Sequence, residues 1–500
     1  MGMFSFDTMV VVLGLLACFI MANHVEVGQS SPVERLVGGG ARDRDSHVRK
    51  LQEFKLNFFQ REPTVSLSSS SSPSPSPTPS LPGRRGSGVF PVTAYGADPT
   101  GKTDSTDAIL EAISDAVSGD GDGFLMEGIR NLGGVRISLE GGIYMISRPI
   151  KLPVAGRGNM LISGGTLKAS DNFTTDGYLI DLSFSSSPNL DYNYEFITLR
   201  DLMLDCNFKG GGIRTIDALR TTIDNCYIAH FATTGILVQG GHETYIRNSF
   251  LGQHITAGGD PSERNFTGTA IDLQGNDNAV TDVVIFSAAI GITISGQANM
   301  ITGVHCYNKA YGFGGTGIHL KVPGITQTRI VNSYFDYTGI VAEDPVQLHV
   351  SDCFFLGDAF IVLKSLRGVL NGINIVNNMF SGSNKGIDIV QLDQTNEEFK
   401  EIGHVVVDKN NVNGMNLKAT VAKGITQVNG TSWTVDFNGI LLFPRRIRFV
   451  QHALLLTDAS NSFPNTVLRN ISNNQVVIES DTIVEGSVSV SVDQSPSMSS

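Results

Sequence analysis

Short apolar-polar-apolar triplets recur along the middle of the chain, about every 21 residues between Asp205 and Asn377. Ile216-Asp217-Ala218, Ile236-Leu237-Val238, Ile271-Asp272-Leu273, Ile292-Thr293-Ile294 and Ile318-His319-Leu320 read as one strand returning coil after coil. A second strand recurs between them, around Ile223, Ile246, Thr281 and Thr302, with Gly, Asn and Asp at the corners. Alternation of this kind is a strand pattern, and strands this short bury an apolar face only by stacking on copies of themselves. The rhythm therefore predicts an all-β solenoid, a right-handed parallel β-helix, whose coils run from residue 88 to 407. Thr103–Asp107 ahead of Ala108–Ala116 carries helix-capping residues before a helical apolar spacing, and predicts a helix that closes the first coil. The last stretch, 408–500, keeps strand-like segments but loses the period, and reads as a β-rich cap and tail.

Ahead of the solenoid the pattern changes twice. An apolar run, Met9–Ala22, has the length of a signal-peptide core and sets a predicted signal segment at 1–22, a signal anchor being the alternative. Residues 23–65 are polar, with an amphipathic stretch over Val48–Phe59, and 66–87 is a Ser/Pro-rich linker that can build no core. Sequons at Asn172, Asn265, Asn429 and Asn470 fit a secreted glycoprotein of the extracellular space or cell wall, with no membrane association after signal removal. With Cys18 gone, Cys206, Cys226, Cys306 and Cys353 remain. Cys206 and Cys226, about one coil apart, form the favoured disulfide, and buried free thiols are the alternative.

Composition narrows the function. The net charge of -12 argues against nucleic-acid binding, and it disfavours an anionic polysaccharide unless basic groups gather in the cleft. No Cys/His cluster suggests a metal, no cofactor is called for, and a monomer is expected.

The segment VTAYGADPTGKTDSTDAILEAI, residues 92–113, is similar to the opening of the pectin-lyase-like superfamily, and the resemblance extends over about 88–400. The Lys50–Phe59 segment before a Ser/Pro linker resembles plant QUARTET-type polygalacturonases, which act in pollen-tetrad separation. The resemblance implies a hydrolase of demethylated pectin, with pectic polysaccharide as partner. It also implies family catalytic stations on successive coils, at Ala232–Gly235, Gly268-Thr269, Ala289–Ile294 and Gly317–Lys321. Those stations lack the family's three aspartates and its histidine, and keep only the lysine, as Lys321.

Inverting glycoside hydrolysis needs two carboxylates roughly 6.5–9.5 Å apart. Asp217 and Asp272 read as outward residues of one column two coils apart, about 10 Å at the spacing of paired strands, and form the expected catalytic pair, with solvated surface aspartates as the plain alternative. His319 and Lys321 are expected to contact a uronate carboxylate, and His242, His254 and Arg264 to line the same groove. A Ca-dependent pectate lyase and a non-catalytic pectin-binding wall protein are the competing readings.

Overall fold

The computed structural model describes residues 88–119, 123–184, 190–254, 266–307, 315–457 and 463–495. The signal, amphipathic and linker segments, together with Arg264 and Asn265, lie outside the described residues.

The chain is wound as a parallel β-helix. Each regular coil lays one strand in a ten-stranded sheet, turns, and lays two shorter strands in a larger sheet before returning. Thr234–Gln239, Tyr245–Arg247 and Phe250–Gly252 make one such coil, and Ile290–Ile294, Met300–Thr302 and His305–Tyr307 another. Pairing between neighbouring coils is parallel and in register. Inside, one ladder runs Ile180, Ile213, Ile236, Ile271, Ile292, Ile318, Ile340 and Ile361, each essentially without solvent exposure. Another runs Leu204, Ile228, Leu251, Ile285, Cys306, Phe335, Phe355 and Phe380. Its last three rings are stacked, with centroids 4.9 and 4.5 Å apart.

The corner between the two short strands demands a left-handed backbone. Asn225, Asn248, Asp282, Gly303, Asn332, Asp352 and Asn377 occupy it with φ between 52° and 64°. Glycine takes this conformation freely, and Asn and Asp tolerate it better than other residues, which is why they recur there. The Asn225 and Asn248 amides donate to Asp201 and Asp224 of the preceding coil, at 2.7 and 2.9 Å. The residue after the corner points inward. There the Ser249 and Ser333 hydroxyls and the Asn378 amide oxygen accept from buried backbone N–H groups, so the sharp turn leaves no orphan donor at these levels.

A glycine or alanine precedes the inward isoleucine at Gly212, Gly235, Ala270, Gly291, Gly317 and Gly339. A Cβ on Gly235 would stand 2.6 Å from the Ala270 carbonyl and 2.9 Å from Leu251. Only a small side chain allows the next coil to close this tightly.

All four described cysteines are free and buried, so the disulfide between Cys206 and Cys226 is absent. Inside the coil Cys226 and Cys353 act as small apolar residues, their sulfurs directed at backbone carbonyls. The first coil is closed by a helix, Thr106–Val117, which buries Ile109, Ala112, Ile113 and Ala116. The strand Asn411–Asn413 still pairs in parallel with Met379–Ser381, so the helical winding runs a few residues beyond 407. An antiparallel four-stranded sheet begins at Val421 and has its own core around Trp433, whose indole N–H donates to the Gly486 carbonyl at 3.3 Å. No helix among the described residues is long and apolar enough to cross a membrane.

Phe355 sits mid-stack with rings above and below. Replacing it with alanine should cost about 3–5 kcal/mol. The check is the denaturation midpoint followed by circular dichroism, and an unchanged midpoint would refute the stabilising role of the ring stack.

Candidate active site

The outer face of the ten-stranded sheet carries one side chain per strand in a straight column. Register sets its order as Lys151, Asp181, Arg214, Leu237, Asp272, Thr293, His319, Val341, Val362 and Gln391. Two residues further along their strands lie Glu343, Lys364 and Asp393. Asp272, His319 and Lys321 thus fall on one face.

Asp217 does not. The strand at that level is Gly211–Ile216, and Arg214, not Asp217, pairs with Leu237. Asp217 occupies the turn beyond the strand end, at φ 50°, with its carboxylate against Gly240. The expected register was three residues late because Ile216-Asp217 mimics the Ile-Asp of Ile271-Asp272. Gly212-Ile213, with a small residue before the inward isoleucine, is the better marker, since close packing of the next coil imposes it.

The other predicted groove residues are dispersed. His242 sits on the corner after the sheet, bridged to Leu219 and Asn276, and shares a 3.3 Å hydrogen bond with the Tyr192 hydroxyl. His254 is buried after the strand Phe250–Gly252, with its ring centroid 5.2 Å from that of Phe208. Phe208 also packs on His230, whose Nδ1 lies 2.8 Å from Asp205.

Asp272 is half-buried between Leu237 and Thr293 of the flanking strands. Its Oδ2 accepts from the Gln274 amide at 2.9 Å, while Oδ1 is buried with no partner among the described residues. Burial pushes this carboxyl above the ordinary carboxylate range, and the Gln274 hydrogen bond and the Lys321 charge offset part of the shift. The site thereby holds an acid biased toward keeping its proton.

Two strands to one side lies His319. Its Nε2 is 3.0 Å from Glu343 Oε1, and the Lys364 ammonium stands 3.6 Å from the same oxygen. Burial lowers the imidazole below its usual value, and the Glu343 hydrogen bond partly restores it. Two strands to the other side lies Arg214, which donates to Asp181 through Nε at 2.9 Å and Nη2 at 2.6 Å. Burial alone would raise the Asp181 carboxyl, but hydrogen bonds from Arg214, Ser183 and Lys151 hold it below the ordinary range. The column therefore carries Arg214 and Lys151 on one side of the acid and the His319 imidazole on the other, with Lys364 beside it, although the chain as a whole is acidic.

Asp181, Arg214, Glu343 and Lys364 were missed in the sequence. Ile180-Asp181-Leu182 repeats the pattern of Ile271-Asp272-Leu273, and that signal could have found the first of them.

Residues 89–340 match the family described as rhamnogalacturonase A/epimerase, pectate lyase-like, and the chain belongs to that family. It is 60% identical over 457 residues to Polygalacturonase QRT3 of Arabidopsis thaliana, covering 91% of this chain and 93% of that protein. Among solved structures, ORF18 of Geobacillus virus E2 shares the fold with a TM-score of 0.51 at 14% identity, over 82% of this chain and 79% of that one. Endo-xylogalacturonan hydrolase of Aspergillus tubingensis matches with a TM-score of 0.48 at 12% identity, over 66% of this chain and 95% of that one.

The raised Asp272 carboxyl has a consequence for stability. The unfolded chain ionises this group first, so the folded state loses stability as pH rises from the ordinary carboxylate range through the raised value. Asp272→Asn, which stays neutral, should unfold at a higher temperature than the native protein near neutral pH and at the same temperature below the carboxylate range. Melting curves at the two pH values check this, and an equal shift at both sinks the assignment of a burdened carboxylate.

Proposed function

We propose that the chain is a polygalacturonase, a glycoside hydrolase acting on demethylated pectin, with Asp272 as its general acid. The observation that carries the site is a half-buried carboxyl, one oxygen without a partner among the described residues, on a column that also bears Arg214 and Lys151 and beside Lys364, cations suited to uronate carboxylates. The reaction class rests on the 60% identity to Polygalacturonase QRT3.

In this reading the proton on Asp272 passes to the glycosidic oxygen as the bond from that oxygen to the anomeric carbon breaks. His319 is the proposed base. With Nε2–H donated to Glu343, Nδ1 carries the lone pair and takes a proton from the water whose oxygen attacks the anomeric carbon. The two residues stand two strands apart, about 10 Å between backbones. Side chains leaning toward one another bring the groups into the range of an inverting pair, roughly 6.5–9.5 Å. Afterwards Asp272 is ionised and His319 protonated, and exchange with solvent resets both. Asp217, on its turn, takes no part. His319 replaces it as the partner of Asp272, and Lys321 remains a uronate contact. The lyase alternative requires clustered acidic ligands, and the described groove brings no such cluster together.

Purified protein acting on polygalacturonate should yield new reducing ends without unsaturated products. Asp272→Asn should lower kcat by about 10²–10⁴-fold. Activity should follow a bell, rising as His319 loses its proton and falling as Asp272 loses its own, with the optimum between the ordinary carboxylate and imidazole ranges. His319→Gln should remove the acidic limb. Unsaturated products overturn the hydrolase, and an Asp272→Asn enzyme of native turnover overturns the acid.

Secretion to the cell wall is proposed on the apolar run at Met9–Ala22 and the sequons. Asn172, Asn429 and Asn470 are exposed and open to glycosylation. Protein recovered from a plant secretory host should lose mass on N-glycan removal, and replacing the three asparagines with glutamine should abolish most of that loss. Protein retained in the cytosol without glycans contradicts the proposal.

A further inference from the structure

Arg214 is held on one side by a carboxylate and on another by an aromatic ring. The wholly buried Asp181 carboxylate takes two parallel hydrogen bonds from its Nε and Nη2 edge, and Lys151 reaches the same carboxylate at 3.0 Å. The guanidinium carbon lies 5.1 Å from the centroid of the Tyr178 ring. That ring occupies the space over Gly211, where a Cβ would stand 2.5 Å from its edge. The Thr234 carbonyl of the next coil crowds the same position, so the ring lies against that coil. A flexible side chain has thus been made rigid, and its Nη1 edge has no acceptor among the described residues. About a quarter of the Arg214 side chain remains open to solvent.

Structural pairing alone does not account for this arrangement. Two cations, Lys151 and Arg214, contact the one buried Asp181 carboxylate, with Asp176 adding only a weaker charge effect at Arg214, so this contact set holds one cation in excess on the outer sheet face. A pair built for stability would balance. The excess is presented by a planar donor whose remaining N–H groups point away from Asp181, two strands from Asp272 on the same column.

We propose that Arg214 reads the carboxylate of a galacturonate unit bound about 10 Å along the groove from the cleavage point, and so sets the enzyme's preference for free acid over methyl ester. Asp181 and Tyr178 are positioning residues for it. A free carboxylate offers two acceptor oxygens and a charge to the open guanidinium edge, whereas a methyl ester offers one neutral acceptor and leaves the excess charge unanswered. The inference rests on the polysaccharide reading above.

The test compares kcat and KM on polygalacturonate and on methyl-esterified pectin for the native enzyme, Arg214→Gln, Arg214→Lys and Asp181→Asn, with circular dichroism confirming the fold. Arg214→Gln should raise KM on polygalacturonate about tenfold or more while changing KM on the ester little, so that the preference collapses. Arg214→Lys, with the charge but not the fork, should retain an intermediate preference. Asp181→Asn should shift the same ratio in the same direction, which a merely structural role would not do. A native preference in Arg214→Gln overturns the proposal, as does an equal loss on both substrates. Calorimetric binding of a galacturonate oligomer and its methyl ester supplies the same comparison without turnover. A native enzyme that binds with the preference but does not cut therefore overturns the hydrolase and leaves Arg214 standing.

Discussion

In-register stacking of one coil on the next is the constraint from which the rest of the structure follows. Adjacent strands must lie at hydrogen-bonding distance, so every side chain on a strand has a fixed neighbour above and below it. Inside, that places isoleucine over isoleucine from Ile180 to Ile361. Outside, it aligns Asp181, Arg214, Asp272 and His319 although more than 130 residues separate the first from the last. The small residues before the inward isoleucines are the means of enforcement, because a larger side chain at Gly235 would meet the next coil's backbone. Chemistry on this scaffold is a matter of which residue falls at which level, and loops between levels can change without disturbing the column.

Electrostatics at the groove runs against the character of the whole chain. A net charge of -12 disfavours an anionic ligand in bulk, yet Lys151, Arg214, His319, Lys321 and Lys364 gather on or beside one sheet face. Their opposing carboxylates are not alike. Asp181 is buried and fully bonded, Glu343 is tied to His319 and Lys364, and of these three Asp272 has a buried oxygen without a partner among the described residues. Partners and burial distribute the roles: the cations around Asp181 hold it charged against burial, and burial biases Asp272 toward its neutral form.

Much of this was legible in the sequence because the physics behind it is local and periodic. The triplets around Ile236, Ile271, Ile292 and Ile318 sit where the rhythm put them, and the helix at Thr106–Val117 follows its capping residues. The period is not uniform, however. The step from Asp272 to Thr293 is 21 residues, but that from Leu237 to Asp272 is 35. Length between corners is unconstrained by stacking, so counting fails where the glycine signal does not. Counting alone also admits Asp217, 20 residues before Leu237, where register places Arg214. Contacts between levels, such as the Tyr178 ring and the Thr234 carbonyl meeting over Gly211, leave no trace in the pattern of a single strand, because they depend on what an adjacent coil omits.

The four buried cysteines divide the solenoid by height. Cys206, Cys226, Cys306 and Cys353 belong to different coils, are reduced, and are shielded by the same ladders that hold the coils together. A thiol reagent reaches each only when its own level opens. The protein therefore carries four internal clocks, one per level, and their separate rates of modification distinguish a solenoid that frays from its ends from one that opens as a unit.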